Sequence, residues 1–277
     1  MDDLVSTRWL ADNLGAPDLV VLDASLFMPA SGRDARAEFL AAHIPGARFL
    51  DIDEQSDKAN PAPHMLPPAE EFGSAMEALG VGRGDRIVVY DNSPLRSAAR
   101  GWFMLRHFGT ERVAVLDGGF EKWLAEGRPV ESGEPPPRPA RFAAIERPGE
   151  VVSKDEVRAG LDAVLLDARG QGRFEGSEPD PRPGVAAGHI PGARNLPFAQ
   201  LYNEDGTLRA RGELARAFAT AGADPSAPFV ASCGSGVTAS SLIFAAHLLG
   251  NCETRLYDGS WSEWGADPST PKATGPA

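Results

Sequence analysis

A cysteine in a glycine-rich segment is the clearest chemical signal in this sequence. Residues 228–239 read Pro-Phe-Val-Ala-Ser-Cys-Gly-Ser-Gly-Val-Thr-Ala, so an apolar strand ends at Cys233 and a helix follows a short turn. Gly234 and Gly236 let the backbone turn tightly, so that successive N–H groups point inward and can bind an anion. The N-terminus of the following helix adds partial positive charge, which favours the thiolate. The segment therefore predicts a nucleophilic cysteine.

An internal repeat separates this interpretation from the simpler one, in which Cys233 is a small buried residue at a tight turn. Three blocks recur in the same order, 141 to 146 residues further along the chain: Leu22–Ala24 as Leu166–Ala168, Ala42–Arg48 as Gly188–Arg194, and Asp117–Trp123 as Asp258–Trp264. The nearly constant spacing predicts one domain that is used twice.

The two copies differ at the position of the cysteine. Gly109 corresponds to Gly250, and counting back from them without a gap places Asn92 opposite Cys233. The first copy has no thiol and no paired glycines there. This is the pattern of a duplicated enzyme domain in which one copy keeps the active site.

Short apolar runs alternate with amphipathic stretches in both halves. The predicted strands are Leu19–Ala24, Ala47–Ile52, Arg86–Asp91, Val113–Asp117, Val164–Ala168, Ala193–Pro197, Phe229–Cys233 and Thr254–Tyr257. The predicted helices include Ala69–Leu79, Leu95–Phe108, Gly212–Ala221 and Val237–Leu249. This alternation predicts an α/β fold in which each half is a mainly parallel sheet flanked by helices, with its working groups beyond the carboxyl ends of the strands.

The chain of 277 residues is long enough for two ordinary domains. We expect a first domain over residues 1–134 without a catalytic cysteine, a proline-rich linker over 135–149, and a catalytic domain over 150–277. Glu131–Pro139 contains four prolines and predicts an extended connector. Ser153 and Glu156 have the spacing of a capping box, which predicts the start of the first helix of the second domain.

Composition excludes several classes of partner. The chain has 27 Lys and Arg against 39 Asp and Glu, a net charge of −12, which disfavours nucleic acids and anionic membrane surfaces. No apolar run approaches the ~20 residues of a membrane span. The two cysteines and an acidic N-terminus without a secretory core predict a cytoplasmic protein, and no Cys/His cluster has zinc spacing.

Several motifs together resemble the tandem-domain rhodanese superfamily: the two His-Ile-Pro-Gly-Ala segments, the Asp-Gly-Gly-Phe-Glu-Lys-Trp block with its partner, and the Cys-Gly-Ser-Gly-Val-Thr loop. The resemblance extends from about Val5 to Trp264. The loop is similar to that of members that use 3-mercaptopyruvate, whereas members that use thiosulfate typically carry Cys-Arg-Lys-Gly-Val-Thr. The resemblance therefore implies two tandem rhodanese-like domains.

The resemblance also implies an activity. We expect a sulfurtransferase that takes the sulfur of 3-mercaptopyruvate as a persulfide on Cys233, releases pyruvate, and passes the sulfur to a thiol, a thioredoxin-like acceptor or cyanide. Such an enzyme needs no metal and no organic cofactor, because the cysteine itself carries the sulfur.

The same resemblance assigns further site residues. Arg173 and Arg182 are expected to hold the carboxylate and the ketone of the substrate, and Asp53, His64 and Ser235 are expected to form a proton relay. The persulfide is expected to lie among the N–H groups of the loop, at Gly234, Gly236, Val237 and Thr238. His43 and His189 occupy the same place in both repeats, and we expect them to be structural.

Other functions stay open at this point. A cysteine phosphatase of the same superfamily needs an arginine six residues after the nucleophile, where this chain has Ala239, so phosphate-ester hydrolysis is disfavoured. Thiosulfate:cyanide sulfurtransferase is the nearest enzymatic alternative. A non-catalytic rhodanese-like binding or sensor module is the alternative outside enzymes.

Overall fold

Neighbouring strands run parallel throughout both sheets of the computed structural model, which describes residues 1–277. The chain divides into two compact units. Unit 1 comprises residues 1–56, 66–147 and 204–208, and unit 2 comprises residues 57–65, 148–203 and 209–277. Each unit therefore includes a short segment from the opposite half of the sequence.

Unit 1 contains a five-stranded sheet in the order β1-β5-β4-β2-β3. Its strands are β1 (Leu4–Val5), β2 (Leu19–Asp23), β3 (Arg48–Phe49), β4 (Arg86–Tyr90) and β5 (Val113–Leu116). Its helices are α1 (Thr7–Asn13), α2 (Ala35–Ala41), α3 (Ala69–Ala78), α4 (Ala98–His107) and α5 (Gly119–Ala125), with a 3₁₀ turn over Pro29–Ser31.

Unit 2 repeats this topology in the order β6-β10-β9-β7-β8. Its strands are β6 (Val151–Val152), β7 (Val164–Asp167), β8 (Arg194–Asn195), β9 (Phe229–Ser232) and β10 (Thr254–Tyr257). Its helices are α6 (Lys154–Ala159), α7 (Gln171–Glu175), α8 (Arg211–Thr220), α9 (Ala239–Leu249) and α10 (Ser260–Trp264), with a 3₁₀ turn over Phe198–Leu201.

All eight predicted strands are present, and the α/β class with a repeated parallel sheet is confirmed. The two-residue strands β1 and β6, at the other edge of each sheet from β3 and β8, were not predicted. The capping box is also present: Ser153 Oγ accepts from Glu156 N at 3.2 Å, and Ser153 N donates to Glu156 Oε2 at 2.7 Å. None of the helices has the length and apolar character that crossing a membrane requires.

The two repeated histidines are buried and make the same contacts. His43 stacks on Phe39 with ring centroids 4.2 Å apart, and its Nδ1 lies 2.8 Å from the Phe39 carbonyl. His189 stacks on Phe174 at 3.8 Å, and its Nδ1 lies 2.9 Å from the Phe174 carbonyl. Both contacts join a loop to a neighbouring helix, as expected of structural residues.

Residues 135–147 pack on unit 1 rather than standing apart from it. Arg138 forms an ion pair with Asp85, with Nη1–Oδ2 and Nη2–Oδ1 distances of 2.6 and 2.8 Å. Phe142 is buried and lies edge-on to Phe72. The segment has no regular secondary structure, as proline-rich sequence favours, but it is anchored to unit 1 by these contacts.

The structure corrects the alignment of the two repeats at the cysteine. The carbonyl of Asp91 accepts a hydrogen bond from Phe120 N at 2.9 Å, and the carbonyl of Cys233 accepts one from Trp261 N at 3.0 Å. Phe120 and Trp261 hold the same place in the repeated block, so the residue equivalent to Cys233 is Asp91. The prediction that Asn92 is opposite Cys233 was wrong by one residue.

The cause of this error is a single-residue difference in loop length. The loop between β4 and α4 covers 91–97, and the loop between β9 and α9 covers 233–238. Counting back from the helix ends without a gap cannot detect an extra residue between the strand and the helix.

Candidate active site

Cys233 lies directly after β9 and is buried. The loop 233–238 connects it to α9 and turns at Gly236, whose φ of +77° lies in the left-handed region that glycine adopts readily. The cysteine therefore stands at the carboxyl edge of a parallel sheet and just before the N-terminus of a helix. This is the position at which α/β sheets place their functional groups.

The N–H groups of this loop fall into two sets. The N–H groups of Cys233 and Gly236 donate to Ser260 Oγ, at 3.0 and 3.2 Å. The N–H groups of the other loop residues donate to no protein acceptor; these residues are Gly234, Ser235, Val237 and Thr238. Of the four N–H groups expected to hold the persulfide, those of Gly234, Val237 and Thr238 thus remain available, together with that of Ser235. The N–H group of Gly236 is used within the fold.

Two arginines lie against the loop at Gly234. A Cβ placed on Gly234 would be 3.1 Å from Arg182 Nη1 and 3.4 Å from Arg173 Nη2. Arg173 comes from α7, and Arg182 comes from the loop that follows this helix. The absence of a side chain at position 234 is what lets both guanidinium groups come this close to the backbone of the loop.

Asp180 orients both arginines. Its carboxylate lies 2.5 Å from Arg173 Nη2 and 3.6 Å from Arg182 Nη1, and it accepts a hydrogen bond from Arg182 N at 3.0 Å. The Asp180 side chain is buried, with 1% of its surface exposed. A single buried carboxylate thus faces two guanidinium groups, so positive charge remains for an anion.

Arg173 leaves a buried donor unused. Its Nε is buried and has no hydrogen-bond partner. Leaving a buried donor unpaired costs about 1–3 kcal/mol, so such an atom on an arginine that lies against the cysteine loop favours binding of an acceptor-rich ligand.

Ser235 connects the arginines to a histidine. Its Oγ lies 2.7 Å from His64 Nδ1 and accepts a hydrogen bond from Arg182 Nη2 at 3.0 Å. Because Arg182 can only donate, the hydroxyl proton of Ser235 is free to point to His64 when Nδ1 is unprotonated. The structure therefore brings together five of the predicted residues: Cys233, Ser235, His64, Arg173 and Arg182.

His64 reaches this site through the segment 57–65 that belongs to unit 2. Asp57 N donates to Met65 O at 2.9 Å and closes the segment, and His64 itself has a φ of +62°. Asp53, the third predicted member of the relay, belongs to unit 1, where its carbonyl accepts from Ser56 Oγ at 2.6 Å. Its part in a relay stays a prediction.

Sequence reasoning missed two residues of this site. Asp180 was not predicted as a site residue, although its place between two prolines in 178–182 indicates a fixed geometry. Ser260 lies in a repeated block at the place where the first copy has Gly119. This serine-for-glycine difference between the copies was the signal that the sequence offered. That Ser260 lies next to Cys233 is visible only in the folded chain.

Comparison with known proteins identifies the family. The rhodanese-like domain matches the chain twice, over residues 6–126 and 153–267. The 3-mercaptopyruvate sulfurtransferase of Rattus norvegicus is 44% identical over 270 residues, which cover 94% of this chain and 91% of the relative. The thiosulfate sulfurtransferase of Bos taurus is 42% identical over 271 residues, with the same coverage of both chains. This chain belongs to the rhodanese family.

A solved structure gives the same result. The crystal structure of SseA from Escherichia coli, a 3-mercaptopyruvate sulfotransferase, superposes with a TM-score of 0.86 at 38% sequence identity. The match covers 95% of this chain and 100% of that chain. The tandem rhodanese architecture is therefore confirmed over nearly the whole molecule. Relatives with different sulfur donors have similar identities, so identity alone does not indicate the donor of this chain.

Proposed function

We propose that this protein is a sulfurtransferase that takes the sulfur of 3-mercaptopyruvate as a persulfide on Cys233 and transfers it to a thiol acceptor. The observation that carries the proposal is the pair Arg173 and Arg182, which lie against an uncharged Gly-Ser turn beside the cysteine. Similarity to relatives named 3-mercaptopyruvate sulfurtransferase supports the same activity.

The charge distribution of the site favours this donor over thiosulfate. Mercaptopyruvate carries its carboxylate and ketone a few bonds away from the sulfur, so guanidinium groups that approach the loop from other segments can bind them, and no cation is needed in the loop itself. Arg173 and Arg182 provide two guanidinium groups from outside the loop, and the unpartnered Nε of Arg173 provides a further donor. Thiosulfate places its negative charge next to the transferred sulfur, where this loop has Gly234 and Ser235 rather than cations.

In the first step, the Cys233 thiolate attacks the thiol sulfur of the bound substrate. An S–S bond forms and the C–S bond of the substrate breaks, so that its electron pair remains on carbon as the enolate of pyruvate. The enolate takes a proton and leaves as pyruvate. Ser235 and His64, whose Oγ and Nδ1 are 2.7 Å apart, are the groups proposed to supply this proton.

The persulfide that results is held by the loop. The N–H groups of Gly234, Ser235, Val237 and Thr238 are the donors proposed to stabilise its negative charge. In the second step, an acceptor thiolate attacks the outer sulfur, the S–S bond breaks, and the electron pair returns to Cys233 as a thiolate. A small thiol, a thioredoxin-like dithiol or cyanide serves as this acceptor.

The test is to detect the persulfide and its dependence on Cys233. Adding 3-mercaptopyruvate without an acceptor should increase the protein mass by about 32 Da, one sulfur atom, and release one equivalent of pyruvate. Cys233→Ser should abolish both the adduct and turnover, whereas Cys252→Ser, at the exposed second cysteine, should abolish neither. Turnover by the Cys233→Ser variant would contradict the mechanism.

Thiosulfate:cyanide sulfurtransferase is the second candidate, because the thiosulfate sulfurtransferase of Bos taurus is nearly as similar as the relatives above. The ratio of pyruvate release from mercaptopyruvate to thiocyanate formation from thiosulfate separates the two donors. We expect the ratio to favour mercaptopyruvate and to fall in the double variant Gly234→Arg/Ser235→Lys. A ratio that does not change would contradict the argument from loop charge.

A further inference from the structure

The hydroxyl of Ser260 lies between two backbone N–H groups of the Cys233 loop. Its Oγ accepts from Cys233 N at 3.0 Å and from Gly236 N at 3.2 Å, and it donates to Tyr257 O at 2.8 Å. Because the hydroxyl proton is bound by the Tyr257 carbonyl, the oxygen lone pairs are left to face the loop. Ser260 is completely buried, so these three bonds are shielded from water.

The backbone of Ser260 has an unfavourable conformation. Its φ is +50°, in the left-handed region that residues with a Cβ rarely adopt, and it is one of three non-glycine residues with positive φ in this chain. The equivalent residue of unit 1 is Gly119, with a φ of +57°. Glycine adopts this conformation without strain, so the fold alone favours glycine at this position.

The serine at this position therefore occurs in the repeat that has the nucleophilic cysteine, and glycine occurs in the repeat that lacks it. Unit 1 has a glycine at this position and no cysteine in its loop, whereas unit 2 has a strained serine whose hydroxyl binds the N–H of the cysteine. A Cβ on Gly119 would lie 2.5 Å from the carbonyl oxygen of Asp91, the residue equivalent to Cys233, so the position is tightly packed against the loop. A residue keeps a strained backbone conformation such as that of Ser260 only where the surrounding structure holds it in place, and such residues cluster at functional sites.

We propose that Ser260 is a positioning residue for the cysteine loop. By binding the N–H groups of Cys233 and Gly236, three residues apart, it fixes the curvature of the turn between them. The N–H groups of the remaining loop residues are thereby kept as a preformed site for the Cys233 thiolate and its persulfide. The inference rests on the proposed sulfur transfer for its catalytic consequence, but the effect on the thiolate is independent of the sulfur donor.

The experiment compares Ser260→Ala and Ser260→Gly with Ser262→Ala as the matched control. Ser262 is also buried in α10, but its hydroxyl donates to the Gly259 carbonyl at 3.0 Å rather than accepting from the loop. Ser260→Ala removes the hydroxyl and keeps the strain, whereas Ser260→Gly removes both. If the loss in Ser260→Ala came only from lower general stability, the glycine variant, which relieves the strain, should resemble the wild type.

The first measurement is the rate of Cys233 alkylation by iodoacetamide as a function of pH, followed on the Cys233 peptide so that Cys252 does not interfere. In both Ser260 variants we expect the midpoint of this profile to move to higher pH by at least about half a unit, because the thiolate loses its preformed donors. The Ser262→Ala profile should match that of the wild type.

The second measurement is steady-state turnover of mercaptopyruvate. Both Ser260 variants should lose roughly ten- to a hundredfold in kcat, with KM within about threefold, because Arg173 and Arg182 still bind the substrate. The proposal would be overturned if Ser260→Gly had the same alkylation profile and the same kcat as the wild type. If the wild-type enzyme does not turn over mercaptopyruvate, the proposed function is wrong, but the alkylation profiles still test the role of Ser260. The two proposals can therefore be refuted independently.

Discussion

Asp91 and Cys233 occupy equivalent positions in the two units, and the Asp91 carboxyl group accepts hydrogen bonds from backbone N–H groups within and at the end of its own loop. Its Oδ1 accepts from Ser93 N at 2.9 Å, and its Oδ2 accepts from Ala98 N at 2.7 Å. The loop of unit 1 thus binds a carboxyl group that is part of the chain, and burial raises the pKa of this group. In unit 2 the same position carries a thiol, and N–H groups of the loop are left without a protein acceptor. In the repeat that lacks a nucleophile, N–H groups of the turn therefore bind an oxygen acceptor that the chain itself supplies.

The first prediction concerns Asp91. Asp91→Ala should lower the stability of unit 1, because Ser93 N and Ala98 N lose their acceptors and an unpaired buried N–H costs about 1–3 kcal/mol. Asp91→Asn should cost less, since its amide oxygen replaces one acceptor. Calorimetric unfolding measures the effect, with Asp12→Ala on the exposed face of α1 as control. Unchanged stability of Asp91→Ala would show that the carboxylate is not needed in the loop.

The second prediction concerns the pH dependence of unit 1. Burial raises the pKa of Asp23 to about 6 from its ordinary value of 3.8. A raised folded-state pKa means that the protonated side chain stabilises the fold at low pH, and that this contribution is lost as pH rises through about 6. Asp23→Asn should therefore stabilise unit 1 at pH 7.5 by up to about 3 kcal/mol and remove the fall in its unfolding temperature as pH rises from about 4 to about 6.

The equivalent substitution in unit 2 should have the opposite effect. Asp167, the counterpart of Asp23, forms a buried ion pair with Arg169, with Nη2–Oδ2 and Nε–Oδ1 distances of 2.6 and 3.0 Å. Unit 1 has Ser25 where unit 2 has this arginine. Asp167→Asn should destabilise unit 2 by about 3–5 kcal/mol, because it leaves Arg169 buried without its carboxylate. Stabilisation by both substitutions would refute the argument from pairing.

The third prediction concerns Asp180. Asp180→Asn keeps the size of the side chain but removes the charge that orients Arg173 and Arg182. We expect KM for mercaptopyruvate to rise about tenfold, because two binding groups lose their fixed positions. Glu178→Gln, an exposed acid in the same loop, should change KM by less than about twofold. Equal effects of the two variants would show that net charge, rather than orientation, determines binding.

The fourth prediction concerns Arg182, which lies against Gly234 and donates a hydrogen bond to Ser235 Oγ. Loss of a charged hydrogen bond costs about 1.5–3 kcal/mol, so Arg182→Ala should lower kcat/KM by roughly tenfold or more. Arg182→Lys should recover only part of this loss, since an ammonium group cannot present two parallel donors. Steady-state kinetics with mercaptopyruvate provides the measurement, and wild-type kcat/KM in Arg182→Ala would remove this residue from the site.

Much of this molecule could be predicted from its sequence because the chain repeats itself. The spacing of the repeated blocks indicated one fold used twice, and alternation of apolar runs with helical stretches predicted its parallel sheets. The nucleophile was identifiable because Cys233 combines a strand end, paired glycines and a helix start in one short segment. These are all local patterns, which a sequence shows directly.

The remaining features depend on contacts between distant parts of the chain. Ser260 contacts Cys233 although 27 residues separate them, and its importance appears only in its hydrogen bonds. Likewise, the contact of Asp180 with both Arg173 and Arg182 appears only in the folded chain. The one-residue error at Asn92 arose because loop length can vary without changing the strand or the helix that flank the loop.

The exchange of short segments between the units has a consequence for synthesis of the protein. His64 leaves the ribosome about 170 residues before Ser235, and residues 204–208 of unit 1 follow long after its sheet is complete. Neither unit can acquire all of its parts until most of the chain has been translated. A nascent chain stalled before residue 204 should therefore carry a complete first sheet but an incomplete first unit, and cutting the gene at the linker should yield two halves that each lack a piece held by the other.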